Sequence, residues 1–154
     1  MAERSAERQV GAFLAEFTPE VARVARRARA KLRTLLPGTL ELVYDNYNAL
    51  AIGFSATDRA SDAVMSVAVY PRWVSVFFLH GARLPDPHKL LKGSGTRVRH
   101  IVLEGPETLD RPAVKALIRA AAAGLPRPPK GGARRRTIVK SVSAKRRPRR
   151  PPGR

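Results

Sequence analysis

Apolar residues recur along this chain with two different periods, and the change of period divides it into segments. From Glu3 to Phe17 they fall at Val10, Phe13, Leu14 and Phe17, the three- and four-residue spacing of one helical stripe. Thr18 and Pro19 follow as an N-cap and a proline at the first helical position. A second helix then runs to about Leu36, with Val21, Val24, Ala25, Ala28, Leu32 and Leu35 on one face and Arg23, Arg26, Arg27, Arg29 and Arg33 on the other. Pro37 and Gly38 stop it. The middle of the chain changes to short runs rich in β-branched and aromatic residues: Leu40 to Tyr44, Ala49 to Ser55, Ala63 to Tyr70 and Trp73 to Leu79. The connection Tyr70-Pro71-Arg72-Trp73 is tight enough to pair the third and fourth runs antiparallel. Pro85 to Leu91 reads as a short helix ended by Gly93, and Val98 to Glu104 as a further strand. Asp110 reads as the cap of a last helix carrying Val114, Leu117, Ile118 and Ala121, which Gly124 and Pro126 terminate.

The order α, α, four β, short α, β, α predicts an α+β fold, a two-layer sandwich with helices packed on one face of an antiparallel sheet. Residues 1–124 form the predicted domain, large enough for one hydrophobic core.

Composition changes the picture after Gly124. Leu125 to Gly132 has the Pro/Gly content of a linker. Ala133 to Arg154 offers only Ile138, Val139 and Val142 as bulky apolar residues. Such a segment is expected to be disordered, because it cannot bury enough surface to offset its ordering entropy. Charge sharpens the division. The net charge is +18. Residues 125–154 hold twelve Lys or Arg and no acid, leaving +6 for the remainder. A basic segment of this kind binds nucleic acid or another polyanion through backbone phosphates, with little base specificity. The residues expected to do so are Arg134, Arg135, Arg136, Lys140, Lys145, Arg146, Arg147, Arg149 and Arg150 of the tail, helped by Arg23, Arg26, Arg27 and Arg33 of the second helix. Proline in the tail favours an extended arm over a groove-reading helix.

Catalytic chemistry has little to build on. There is no cysteine, so disulfides, thiol nucleophiles and Cys-based zinc sites are excluded. His80, His88 and His100 show no metal-ligand spacing, and no nucleophile elbow or acid pair is recognisable. The glycines between Gly93 and Arg97 follow a predicted helix and precede a strand, opposite to the order of a phosphate-binding loop, and read as a turn. No catalytic residue, metal or cofactor is therefore assigned. A second candidate site is a small-ligand pocket bounded by Tyr44, Asn46, Tyr47, Trp73 and His80. No apolar run approaches the length of a membrane span, and the N-terminal residues lack a signal-peptide core, so a soluble cytoplasmic protein without a membrane partner is expected.

Four separated stretches carry a family resemblance: Val43 to Phe54, Ala68 to Val74, Leu79 to Pro87 and Leu91 to Leu103. Together they resemble the YdhG-like family of bacterial domains over about residues 20–123. The resemblance implies a frataxin/CyaY-like fold, with helices on one face of an antiparallel sheet. It also raises metal handling as an alternative function, since iron is held by exposed oxygen ligands. The helical carboxylates available for that role are Glu3, Glu7, Glu16 and Glu20, beside a face of arginines.

Overall fold

A computed structural model describes residues 2–126 and 136–152. Helices α1 (Ala2–Ala15) and α2 (Pro19–Leu35) lead into four strands, β1 (Leu40–Asp45), β2 (Leu50–Ser55), β3 (Ala63–Val69) and β4 (Val74–Phe78). Strand β5 (Arg99–Val102), helix α3 (Pro112–Ala122) and strand β6 (Thr137–Val142) complete the chain. The sheet order is β5-β4-β3-β2-β1-β6, antiparallel except for the β1–β6 pair, which is parallel. The fold is thus α+β as expected, with an open mixed sheet of six strands.

Period-two alternation decides which side chains meet the helices. Val43 of β1, Leu50, Ile52 and Phe54 of β2, Met65, Val67 and Val69 of β3, and Val74, Val76 and Phe78 of β4 share a core with Val10, Leu14 and Phe17. Leu32 of α2 and Leu117 and Ile118 of α3 belong to the same core. Thr18 caps α2, its hydroxyl accepting from the Val21 N–H at 3.3 Å, with Pro19 opening the helix. The turn Tyr70-Pro71-Arg72-Trp73 closes through Tyr70 N–H to the Trp73 carbonyl at 2.9 Å and pairs β3 with β4 as expected.

Two helical expectations are corrected. Pro85 to Leu91 is not helical: both carboxylate oxygens of Asp86 accept backbone N–H groups, from Leu90 and Leu91 at 2.9 Å each, and these side-chain bonds hold an irregular turn in place of the helix. Gly93 is therefore not a helix cap. It adopts φ +122 with the Val98 carbonyl where a side chain would stand. Asp110 does not cap α3. It ends a short 3₁₀ turn and pairs with Lys31 at 2.5 Å, while Arg111 holds the cap position ahead of Pro112.

The largest correction concerns the C-terminal segment. Residues 136–152 are not a disordered arm: Thr137–Val142 adds β6 to the free edge of β1, with Glu41 N–H bonded to the Arg136 carbonyl and Ser143 N–H to the Asp45 carbonyl. Ionic contacts fasten the start of this strand. Glu41, on the helix side of β1 and nearly inaccessible, accepts from Arg29 at 2.6 Å and also pairs with Arg33. Both arginines reach Glu7 of α1, at 2.6 and 2.7 Å. The Thr137 hydroxyl donates to Glu7 at 2.7 Å and its N–H to Glu3 at 2.9 Å. Arg29 and Arg33 are thus not part of a solvated arginine face, because α1 and β6 cover that flank of α2. Among the described residues no helix is long and apolar enough to cross a membrane.

Burial alone would raise the Glu7 pKa, but the Thr137 hydroxyl, the hydrogen bond and charge of Arg29, and Arg33 hold it down to about 2. A depressed carboxylate stabilises the fold above its unfolded pKa, and the contribution is lost as pH falls from about 4.5 toward about 2. Glu7→Gln should therefore cost about 1 kcal/mol at neutral pH, a figure reduced for the partial exposure of the carboxylate. The difference from wild type should vanish near pH 2. Urea denaturation of both proteins across that range measures it.

Candidate nucleic-acid interface

β1 carries a second buried acid, and it determines where the C-terminal arginines lie. Asp45 is 0 % exposed. Its carboxylate accepts from Arg146 Nη1 at 2.6 Å and from Arg149 Nη2 at 2.7 Å. Arg149, itself 5 % exposed, also donates to the Asn46 carbonyl at 2.6 Å and lies over the Phe17 ring at 5.6 Å. Its Nε and Nη1 are buried without a hydrogen-bond partner among the described residues, so the contact with Phe17 offsets part of the cost of burying the cation. Arg146 also grips Glu16 at 2.7 and 2.9 Å. That hydrogen bond, ahead of the opposing effect of burial, lowers the Glu16 pKa and contributes most to raising that of Arg146.

These bonds turn Arg146 to Pro152 into a fixed ridge across the end of the sheet. Arg147 N–H donates to the Tyr47 carbonyl at 2.8 Å, and its guanidinium lies 5.7 Å from the centre of the Tyr47 ring. Arg150 donates to the carbonyls of Glu16 and Ala15 at the end of α1. On one side of the ridge a groove of about 600 Å³ is lined by Asn48, Tyr70, Arg72, Trp73, Arg147 and Arg150, with prolines 148, 151 and 152. Beyond it lies a polar cavity of about 510 Å³ bordered by Glu16 and Arg146 to Arg150. Arg147 and Arg150 face both.

Tyr70 and Trp73 flank the two-residue loop Pro71-Arg72, so their side chains leave the hairpin on the same side. Their rings stack at 4.7 Å with an interplanar angle of 18°. Trp73 remains 43 % exposed in spite of that contact.

The structure divides the sequence-predicted residues. Arg147 and Arg150 join the groove, while Arg146 and Arg149 form the anchor beneath it. Lys140, on β6, donates to the Asp58 carbonyl at 2.9 Å, and Arg136 immediately precedes that strand; neither is part of the ridge. Lys145 is exposed beside the ridge. Arg134 and Arg135 lie outside the described residues. Arg23, Arg26 and Arg27 are exposed on α2, with Arg27 contributing to the field on Asp110, whereas Arg33 is drawn into the Glu7–Glu41 cluster.

The pocket predicted from Tyr44 to His80 does not form as one site. Trp73 precedes β4 and His80 follows it, so the strand separates them end to end. His80 instead lines a cavity of about 550 Å³ with Val64, Phe78, Arg83 and Leu84. Tyr44 lies half-buried on β1 opposite Ser141 of β6. Asn46 and Tyr47 supply backbone carbonyls that dock the ridge. Sequence reasoning missed Asp45 as an anchor, Asn48 and Tyr70 as groove residues, and Arg72 at the loop tip. An acid on an otherwise apolar strand in a chain with only twelve acids was the available signal for Asp45.

Among the described residues no group of three or more His, Asp or Glu is placed to hold a metal ion. No family model, curated protein or solved structure matches the chain.

Asp45→Ala should leave the Arg149 cation buried without its counter-charge and destabilise the protein by about 3–5 kcal/mol. Denaturant titration gives the loss. Limited trypsin digestion should show new early cleavage after Arg146 and Arg149, the ridge arginines not followed by proline.

Proposed function

We propose that this protein is a non-enzymatic nucleic-acid-binding module whose C-terminal arginines contact the phosphate backbone. The supporting observation is the Arg146–Pro152 ridge. Asp45 and Glu16 hold Arg146 and Arg149, and the neighbouring Arg147 and Arg150 border two cavities open to a ligand. Residues 136–152 contain seven Lys or Arg and no acid, so the ridge keeps a positive excess after Arg146 and Arg149 are paired. A prearranged cationic surface avoids much of the ordering entropy that a flexible arm loses on binding.

The YdhG-like resemblance stays a proposal about ancestry, and the function it raises as an alternative is metal handling. Metal handling has less support. Glu3, Glu7 and Glu16, which would have to offer oxygen ligands, already accept hydrogen bonds from Thr137 and from Arg29, Arg33 or Arg146.

Fluorescence anisotropy with labelled oligonucleotides at several salt concentrations tests the proposal. Affinity should fall with salt. Replacing both Arg147 and Arg150 by Ala should weaken binding about tenfold at low salt and flatten the log–log salt slope by about 0.7 for each single-strand phosphate that is no longer neutralised. Absence of binding to DNA and RNA at low salt would refute the proposal.

A further inference from the structure

We infer that the groove takes single-stranded nucleic acid, with an unpaired base stacked at Trp73 and adjoining phosphates held by Arg72, Arg147 and Arg150. The inference rests on the nucleic-acid reading above and specifies its substrate. Phosphate attraction alone would not favour a single strand, because a duplex presents the same phosphate groups at a higher linear charge density. The aromatic pair supplies the distinction. Trp73 is large, held in place by Tyr70, and 43 % exposed at a groove that also presents three arginines. A base can reach such a ring face only when it is free of its partner, and base–aromatic stacking tolerates any sequence.

The volume of about 600 Å³ lies within the range of sites that enclose small organic ligands, so the groove can admit a base and its sugar. Its far wall is preset. Prolines 148, 151 and 152 restrict the backbone, and Arg149 is anchored at Asp45, so the ridge does not have to fold around the strand. The polar cavity beyond the ridge, which shares Arg147 and Arg150 with the groove, provides a path for the next phosphate. Stacking on one side and phosphate contact on the other give affinity without base identity, as expected of a sequence-tolerant single-strand binder.

Trp73 is the chain's only tryptophan, so its fluorescence reports directly on the site. The full chain is titrated with an oligothymidylate and with a DNA hairpin of equal phosphate number, following Trp73 emission and, in parallel, anisotropy of labelled strands. The single strand should quench Trp73 and bind at least tenfold more tightly than the hairpin. Trp73→Ala should lose about fivefold or more of single-strand affinity and little of hairpin affinity, while Trp73→Phe should retain most of both. Unchanged circular-dichroism melting would show that the variants remain folded. Equal affinity for strand and hairpin, with no effect of Trp73→Ala, would overturn the single-strand inference and leave phosphate binding standing. Failure of both ligands to bind at low salt would overturn the nucleic-acid reading together with this one.

Discussion

Two carboxylates buried on the helix side of β1 organise this protein. A strand placed beneath helices would normally present only apolar side chains to them, and here Glu41 and Asp45 flank Val43 on that face. An unpaired carboxylate in such a place is too costly to keep charged, so each must be met by a cation with good geometry. Glu41 is met by Arg29 and Arg33 of α2, and Asp45 by Arg146 and Arg149 from beyond β6. The first group ties together α1, α2, β1 and the beginning of β6. The second fixes the segment after β6. Between them they convert a composition suited to disorder into an edge strand followed by a ridge.

The same pairing redistributes the charge. The chain's excess of arginine is partly consumed inside the fold, where it neutralises scarce acids, and the remainder is displayed. At the ridge these roles alternate along the sequence: Arg146 and Arg149 point to acids, while Arg147 and Arg150 border the groove beside Trp73. β6 pairs the edge of β1 and becomes the edge of the sheet itself, where the exposed Lys140 places a charge that disfavours pairing with another chain.

Much of the body was legible in the sequence because its signals are local. The stripe Val10, Phe13, Leu14 and Phe17, the Thr18-Pro19 cap and the Tyr70-Pro71-Arg72-Trp73 turn each depend on neighbours a few residues away, and each stands in the structure. What escaped depends on distant partners. Helical periodicity placed Arg29 and Arg33 on the face opposite the core, and could not reveal that α1 and β6 would cover their flank. Thr137 to Val142 is rich in β-branched residues, yet its flanking charges resemble those of a solvated tail until Glu3, Glu7, Glu41 and Asp45 are brought to it from the other end of the chain. Trp73 and His80 are close in sequence, but an extended strand between them carries them to opposite ends of the sheet. Near Pro85, the competing hydrogen bonds of the Asp86 side chain outweighed a short helical pattern.

Amide hydrogen exchange across Thr137–Val142 in the intact protein tests the central claim most directly, because buried carboxylates that order the C-terminal segment must also keep β6 paired to β1. The hydrogen-bonded amides of β6 should exchange as slowly as those of β1, with protection that Asp45→Asn sharply reduces. Exchange of Thr137–Val142 at the rate of an unstructured chain in the wild-type protein would contradict the account.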